Sequence, residues 1–242
     1  MSSLSQEIKH MLCRKFVVVM AVAVGTFGSA APIASADFVA QWDFNNQTLA
    51  PSLGAGTLGT VGGATGATFN QAAGSSDPVQ PGFGWQTSGY PSQGAASGTA
   101  GIEIGVSTVG YENIVLHWDQ RNSNTASRWS QLLCSTNGGL TFDALDVFET
   151  NVGSTWFNNR TADLSAIAGA ADNPLLVLRL VSIFAPGTSA YQATDGASTY
   201  GGGTTRFDMI TIEGTPSTVP APAAPALLAL AGVAGGRRRR RD

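Results

Sequence analysis

Between Phe38 and Glu213 the apolar residues return at every second position, and over no long stretch at every third and fourth. Phe38, Ala40, Trp42 and Phe44 alternate with Val39, Gln41 and Asp43. Ile102, Ile104 and Val106 alternate with Glu103, Gly105 and Ser107, and Ile114, Leu116 and Trp118 with Val115, His117 and Asp119. A period of two places one set of side chains on each face of an extended strand, so these segments are half-buried strands. Five further runs, 128–135, 141–150, 154–160, 175–183 and 206–213, read the same way and are separated by Gly, Asn, Asp and Pro clusters suited to antiparallel connections. Only 161–171, TADLSAIAGAA, offers a helical turn or two. Eight strands in one domain predict an all-β fold: a two-sheet antiparallel sandwich, jelly-roll-like, with long loops rich in Gly, Ala, Ser and Thr.

The span 37–214 is long enough to bury one sizeable core. Cys13 precedes it, which leaves Cys134 as its single cysteine and excludes an intrachain disulfide. Stability therefore rests on packing, with Trp118 expected at the middle of the sandwich and Cys134, after Leu132 and Leu133, as a buried, inert thiol. Residues 50–101 are rich in small residues, and the spaced aromatics Phe69, Trp85 and Tyr90 are expected to pin ordered loops and short edge strands to the sandwich. A second glycine-rich stretch, 193–203, reads as an exposed loop.

Charge narrows the partners. The span 37–214 holds fourteen acids against five arginines, a formal charge of −9 that the net −3 of the whole chain conceals. Such a body repels phosphate backbones, so nucleic acid is not an expected partner, whereas divalent cations suit it.

The two ends carry address signals. Lys9, Arg14 and Lys15 precede an apolar run from Phe16 to Phe27 and then Ala34-Ser35-Ala36, the layout of a signal peptide over 1–36 that signal peptidase cuts before Asp37. After a linker from 215, the segment from Val219 to Gly236 is closed by five arginines, Arg237 to Arg241. As a helix it would reach roughly 27 Å, short of a hydrocarbon core about 30 Å thick. Pro220, Pro222 and Pro225 confine helix to its last part. Transient insertion into the inner membrane follows, with the arginines held on the cytoplasmic side and the body outside.

Val219, Pro220, Ala221 and Pro222, the apolar run and the arginine block together resemble the PEP-CTERM sorting signal of Gram-negative bacteria, with Ala221 where that family usually carries Glu. The resemblance implies export, recognition by an exosortase-type transpeptidase, removal of the tail, and a place at the cell surface or in an extracellular matrix with exopolysaccharide as a partner.

Within the body, STNGGLTF at Ser135 to Phe142 resembles an Asp-box, with Asn137 for Asp and Phe142 for Trp, and implies a hairpin turned at Asn137 and Gly138. The run from Ile114 to Gly214, with VLHWDQRNSNT, LLCSTNGGLTF, LLVLRLV and RFDMITIEG, resembles jelly-roll modules of secreted bacterial proteins. That resemblance implies a binding or structural role. It also implies neighbouring first and last strands, where Asp43, Asn45 (with Asn46 beside it) and Asp208 are the expected calcium ligands.

Catalytic constellations are not legible. His117, the one histidine of the body, has no GxSxG elbow to serve and reads as an ordinary strand residue. One histidine and one cysteine do not make a zinc site. Asp143 with Asp146, or Glu103 with Glu112, have the chemistry of a glycosidase pair, but they read as solvating and turn-making residues. Arg121, beside Asn122, Ser123 and Asn124, reads as an ion-pair or loop-supporting residue ahead of a glycan contact. The expectation is a non-catalytic, exported surface or matrix protein with a structural or glycan-associated role. The alternatives are a secreted polysaccharide-degrading enzyme and a dedicated carbohydrate-binding module.

Overall fold

The computed structural model describes residues 35–217; the expected signal peptide up to residue 34 and the expected sorting segment from residue 218 lie outside the described residues. Twelve strands run through them: β1 (Asp37–Trp42), β2 (Leu53–Gly54), β3 (Gly56–Val61), β4 (Thr65–Gln71), β5 (Phe83–Ser88), β6 (Gly101–Val106), β7 (Tyr111–Asn122), β8 (Trp129–Ser135), β9 (Asp143–Glu149), β10 (Trp156–Asp163), β11 (Leu176–Ile183) and β12 (Thr205–Pro216). They form an all-β sandwich of two antiparallel sheets. The front sheet has the order β10-β7-β12-β1-β2, with β5 also on β12 and β4 on β5; the back sheet has the order β3-β6-β11-β8-β9. One edge of β12 is shared, since its first residues pair with β5 and its last with β1.

The alternating apolar sets meet between the sheets. Trp42, Ile114, Leu116, Trp118, Phe207, Ile210 and Ile212 of the front sheet pack against Ile102, Ile104, Leu132, Leu176, Leu178 and Leu180 of the back sheet. Each such side chain contributes about 1.5–3 kcal/mol through the area it removes from water. Gly101 is dictated by close approach, because a Cβ there would collide with the Leu180 carbonyl of the neighbouring strand. Cys134 is buried in the same core, and its thiol is pushed up to about 11, chiefly by burial and then by Asp143, which keeps it inert as expected.

The small-residue stretch 50–101 supplies β2 to β5. Phe69 and Trp85 anchor it, their rings 6.1 and 6.2 Å from that of Phe44.

Several expectations are corrected. Residues 161–171 hold no helix: Thr161–Asp163 completes β10, and successive turns close from Ile167 N–H to Leu164 O and from Ala170 N–H to Ile167 O. Gly169, at φ +82, breaks any helical continuation. The loop 193–203 is exposed only in part: Gly196, Ala197, Thr199 and Gly201 face solvent, while Ala193 and Thr194 are buried and Tyr200 is stacked on Tyr191 at 4.5 Å. In the β8–β9 hairpin the positive φ values belong to Gly138 and Gly139, while Asn137 Oδ1 accepts the Thr141 N–H at 3.0 Å; the strand resumes at Asp143, not Thr141. Finally, a bulge between Phe38 and Ala40 breaks the first alternation. It turns Val39 inward and leaves Phe38 47% exposed on the outer side.

Candidate functional site

The outward residues of four front-sheet strands line a groove of about 420 Å³, inside the range of roughly 300–1,000 Å³ usual for ligand pockets. Period two decides which residues these are. While Leu116 and Trp118 enter the core, His117 and Asp119 face out; while Ile210 and Ile212 enter it, Met209, Thr211 and Glu213 line the groove. β1 contributes Gln41 and, through its bulge, Phe38, and β10 contributes Asn159.

The floor is a ladder of polar contacts between neighbouring strands. His117 Nδ1 lies 3.0 Å from Thr161 Oγ1, His117 Nε2 lies 3.8 Å from Glu213 Oε2, and Gln41 Nε2 donates to Thr211 Oγ1 at 3.2 Å. Imidazole, carboxylate, amide and hydroxyl thus stand side by side, with the Phe38 ring at the rim. This set donates and accepts hydrogen bonds on a flat face beside one apolar plate.

At its far end the groove is bounded by the β4–β5 loop, 72–82, which folds over the sheet. Ser76 N–H donates to Asp119 Oδ2 at 2.5 Å, and Asn159 N–H donates to Asp119 Oδ1 at 2.7 Å. Asp77 accepts from Val79 N–H and Asn45 Nδ2, so the loop is pinned to the β1–β2 turn as well. Asp208 stands directly opposite Asp119 and is fully buried. Its Oδ1 accepts the Met209 N–H at 2.8 Å, and its buried Oδ2 has no hydrogen-bond partner. Burial above all, then the neighbouring Asp77 and Asp119, pushes the Asp208 carboxyl up to about 8, against the Met209 hydrogen bond that favours the anion.

The fold distributes the expected site residues unevenly. First and last strands do pair. Yet Asp43 Oδ1 is used by the Asn45 N–H in a local turn, Asn45 reaches Asp77, and Asp208 faces Asp119. Asp43, Asn45 and Asp208 are thus each engaged by different protein groups, and among the described residues no three of His, Cys, Asp and Glu gather in one group. A hard cation's oxygen chemistry fits Asp208 better than Asp43, because Asp208 Oδ2 is the buried oxygen left without a partner. Asp77 gave no signal in the sequence: it sits in a loop, and its side-chain partner Asn45 lies 32 positions away.

Of the two carboxylate pairs one separates: Glu103 on the back sheet is bound by Arg179 at 2.6 Å, and Glu112 lies on the front sheet. Asp143 and Asp146 stay together, exposed on the edge strand β9 opposite Cys134 and Leu132. In the groove, the backbone of Glu213 stands opposite Val115, and its carboxylate reaches His117 Nε2 at 3.8 Å, while both oxygens of Asp119 are held by backbone N–H groups. Arg121 supports a loop, its Nε donating to Ser154 O at 2.9 Å.

No protein-family description matches the chain, and no curated protein resembles it in sequence. Among solved structures it is similar to the CBM22-1–GH10 modules of a Clostridium thermocellum endo-1,4-beta-D-xylanase complexed with xylohexaose, at 13% identity and TM-score 0.41 over 69% of this chain and 28% of that one. It is also similar to the CBM22-1–CBM22-2 tandem domain of Paenibacillus barcinonensis Xyn10C, at 13% identity and TM-score 0.43 over 81% of this chain and 50% of that one. A third is TmCBM27, a mannan-recognising carbohydrate-binding module, at 9% identity and TM-score 0.43 over 75% of this chain and 99% of that one. The chain thus spans half or less of the first two. These likenesses concern outline, and no residue role is transferred across them.

Proposed function

We propose that this protein is an exported, non-catalytic surface or matrix protein whose front-sheet groove holds a polysaccharide. The observation that carries the reading is the His117–Thr161–Glu213–Gln41–Thr211 ladder beside the exposed Phe38 ring. Saccharides present alternating hydroxyls and apolar ring faces, and a planar polar floor with an aromatic rim answers both. The engagement of both Asp119 oxygens by backbone N–H groups argues against a hydrolytic pair.

Retention of the purified chain on immobilised polysaccharides tests this. Phe38→Ala and His117→Ala should each weaken retention several-fold with little change in melting temperature, since both side chains are partly exposed. Retention by no polysaccharide, or unchanged retention in both variants, removes the groove from the account.

Export and sorting are the second part of the proposal and rest on the signals at 1–36 and 215–242. Mass spectrometry of the native protein should find Asp37 as its first residue and the five arginines gone. Arginine-bearing molecules in the majority would exclude tail removal.

A further inference from the structure

The charges of the groove are all of one sign. Its lining includes two carboxylates, Asp119 and Glu213, and neither lysine nor arginine. Arg160, next to Thr161 on β10, turns away from the groove, where its Nη2 donates to Glu149 O and Thr150 Oγ1 and the rings of Phe148 and Phe157 pack on it. Arg121 and Arg206 stand beyond Asp119 and Asp208, on the far side of the 72–82 loop.

The two carboxylates differ in what they have left to offer. Both Asp119 oxygens already accept backbone N–H groups, from Ser76 and Asn159. Among the described residues no group donates to the Glu213 carboxylate within hydrogen-bond length; His117 Nε2 stands 3.8 Å away, and the Glu213 side chain is 31% exposed in the open groove. On the neighbouring strand, Gln41 donates through Nε2 to Thr211 Oγ1, and its Oε1 accepts from no described residue. The groove thus has acceptors and negative charge to spare, and no fixed cation to answer them.

We infer that the polysaccharide held by the groove is an amino-sugar polymer with free, protonated amines, one of which sits against the Glu213 carboxylate. Such an amine is a compact charge with N–H donors only, and its hydrogen bond to a carboxylate is about twice as strong as a neutral one. The hydroxyls of the same sugar can donate to Gln41, and its apolar ring face meets Phe38. A uronic or sulfated polymer would instead set like charges together at Glu213. The inference rests on the glycan reading and adds a chemical class to it. The formal charge of −9 over 37–214 acts in the same direction and draws any polycation from a distance, so a single-site variant is what reports the contact itself. At about 0.15 M ionic strength, with a Debye length of about 8 Å, the distant acids are screened.

The test is affinity electrophoresis of the full chain, at that ionic strength, through gels holding glycol chitosan, its N-acetylated counterpart glycol chitin, xylan or mannan. The first two share one sugar and one linkage and differ in the charge of the amine. Glycol chitosan should retard the protein most. Glu213→Gln should cut the preference for glycol chitosan over glycol chitin about tenfold, the scale of one hydrogen bond to a charged group. Its melting temperature should match the parent's, because the side chain is partly exposed and gives up no hydrogen bond. Asp146→Asn removes an equal charge from β9 on the back sheet and should leave the preference as it is. Retardation by neutral polymers equal to or above that by glycol chitosan overturns the inference and leaves the glycan reading standing. An amine preference that Glu213→Gln leaves intact, or that Asp146→Asn weakens as much, belongs to the general field and overturns it too. Retardation by no polymer overturns both readings, as does retardation that neither Phe38→Ala nor His117→Ala weakens.

Discussion

Replacing Trp118 by alanine should cost about 3–5 kcal/mol, a large share of the ~5–15 kcal/mol available to a domain of this kind. Trp118 is fully buried, and its ring meets Phe148 edge-on with centroids 4.7 Å apart. It also begins a buried polar chain. Its Nε1 donates to Gln120 Oε1, Gln120 Nε2 donates to Asn122 Oδ1, and Asn122 Nδ2 donates to Ser127 O. Truncation thus leaves both a cavity and a buried acceptor without its donor, an omission that costs about 1–3 kcal/mol by itself. Trp118→Phe keeps most of the volume and isolates the second loss. His117→Ala, one residue away on the outer face, should cost about 0.5 kcal/mol or less. Denaturant melts of the three variants check the ranking, and a histidine change more damaging than either tryptophan change would mean that the strand is inverted.

The second large effect is on pH. Asp208 ionises near 3.9 in an unfolded chain and only at about 8 in the fold. Between those values the folded state holds a proton that the unfolded state has released, so stability falls as pH rises through this window and levels off above it. Four units at about 1.4 kcal/mol each set a ceiling of about 5 kcal/mol. In chelator, Asp208→Asn should flatten this slope, and the difference between it and the parent cancels the other carboxylates. A bound cation would favour the ionised form, so millimolar calcium should raise the parent's melting temperature more at pH 8 than at pH 5 and should not raise that of the variant. Parallel pH profiles for parent and variant would remove the buried-proton account. A calcium-independent melting temperature at pH 8 would remove the cation.

The sheets were legible because alternation is a local property. Ile102, Ile104, Ile114, Leu116 and Trp118 were assigned their faces from sequence, and the fold agrees at each. What escaped were departures from period two. The bulge at Phe38/Ala40 reverses a face that strict alternation had buried, and the irregularity between Asp208 and Thr211, with Met209 at φ +45, shifts the last strand in the same way. Both bulges border the groove, so the site residues least visible in the sequence are those the bulges re-aim. Asp77 escaped for another reason: its partners are set by a loop crossing the sheet, and no spacing in the chain encodes that crossing.

The shared edge of β12 also bears on when the chain can fold. This strand binds β7 on one side and both β5 and β1 on the other, and its contact with β1 joins residues 170 positions apart. Loop closure on that scale is paid before any contact rewards it, which makes such topologies slow. β12 is the last of the described strands to be synthesised, so β1 waits almost the whole length of the domain for its neighbour. Until then the front sheet has no centre, and β1 and β5 lack the strand that joins them to β7.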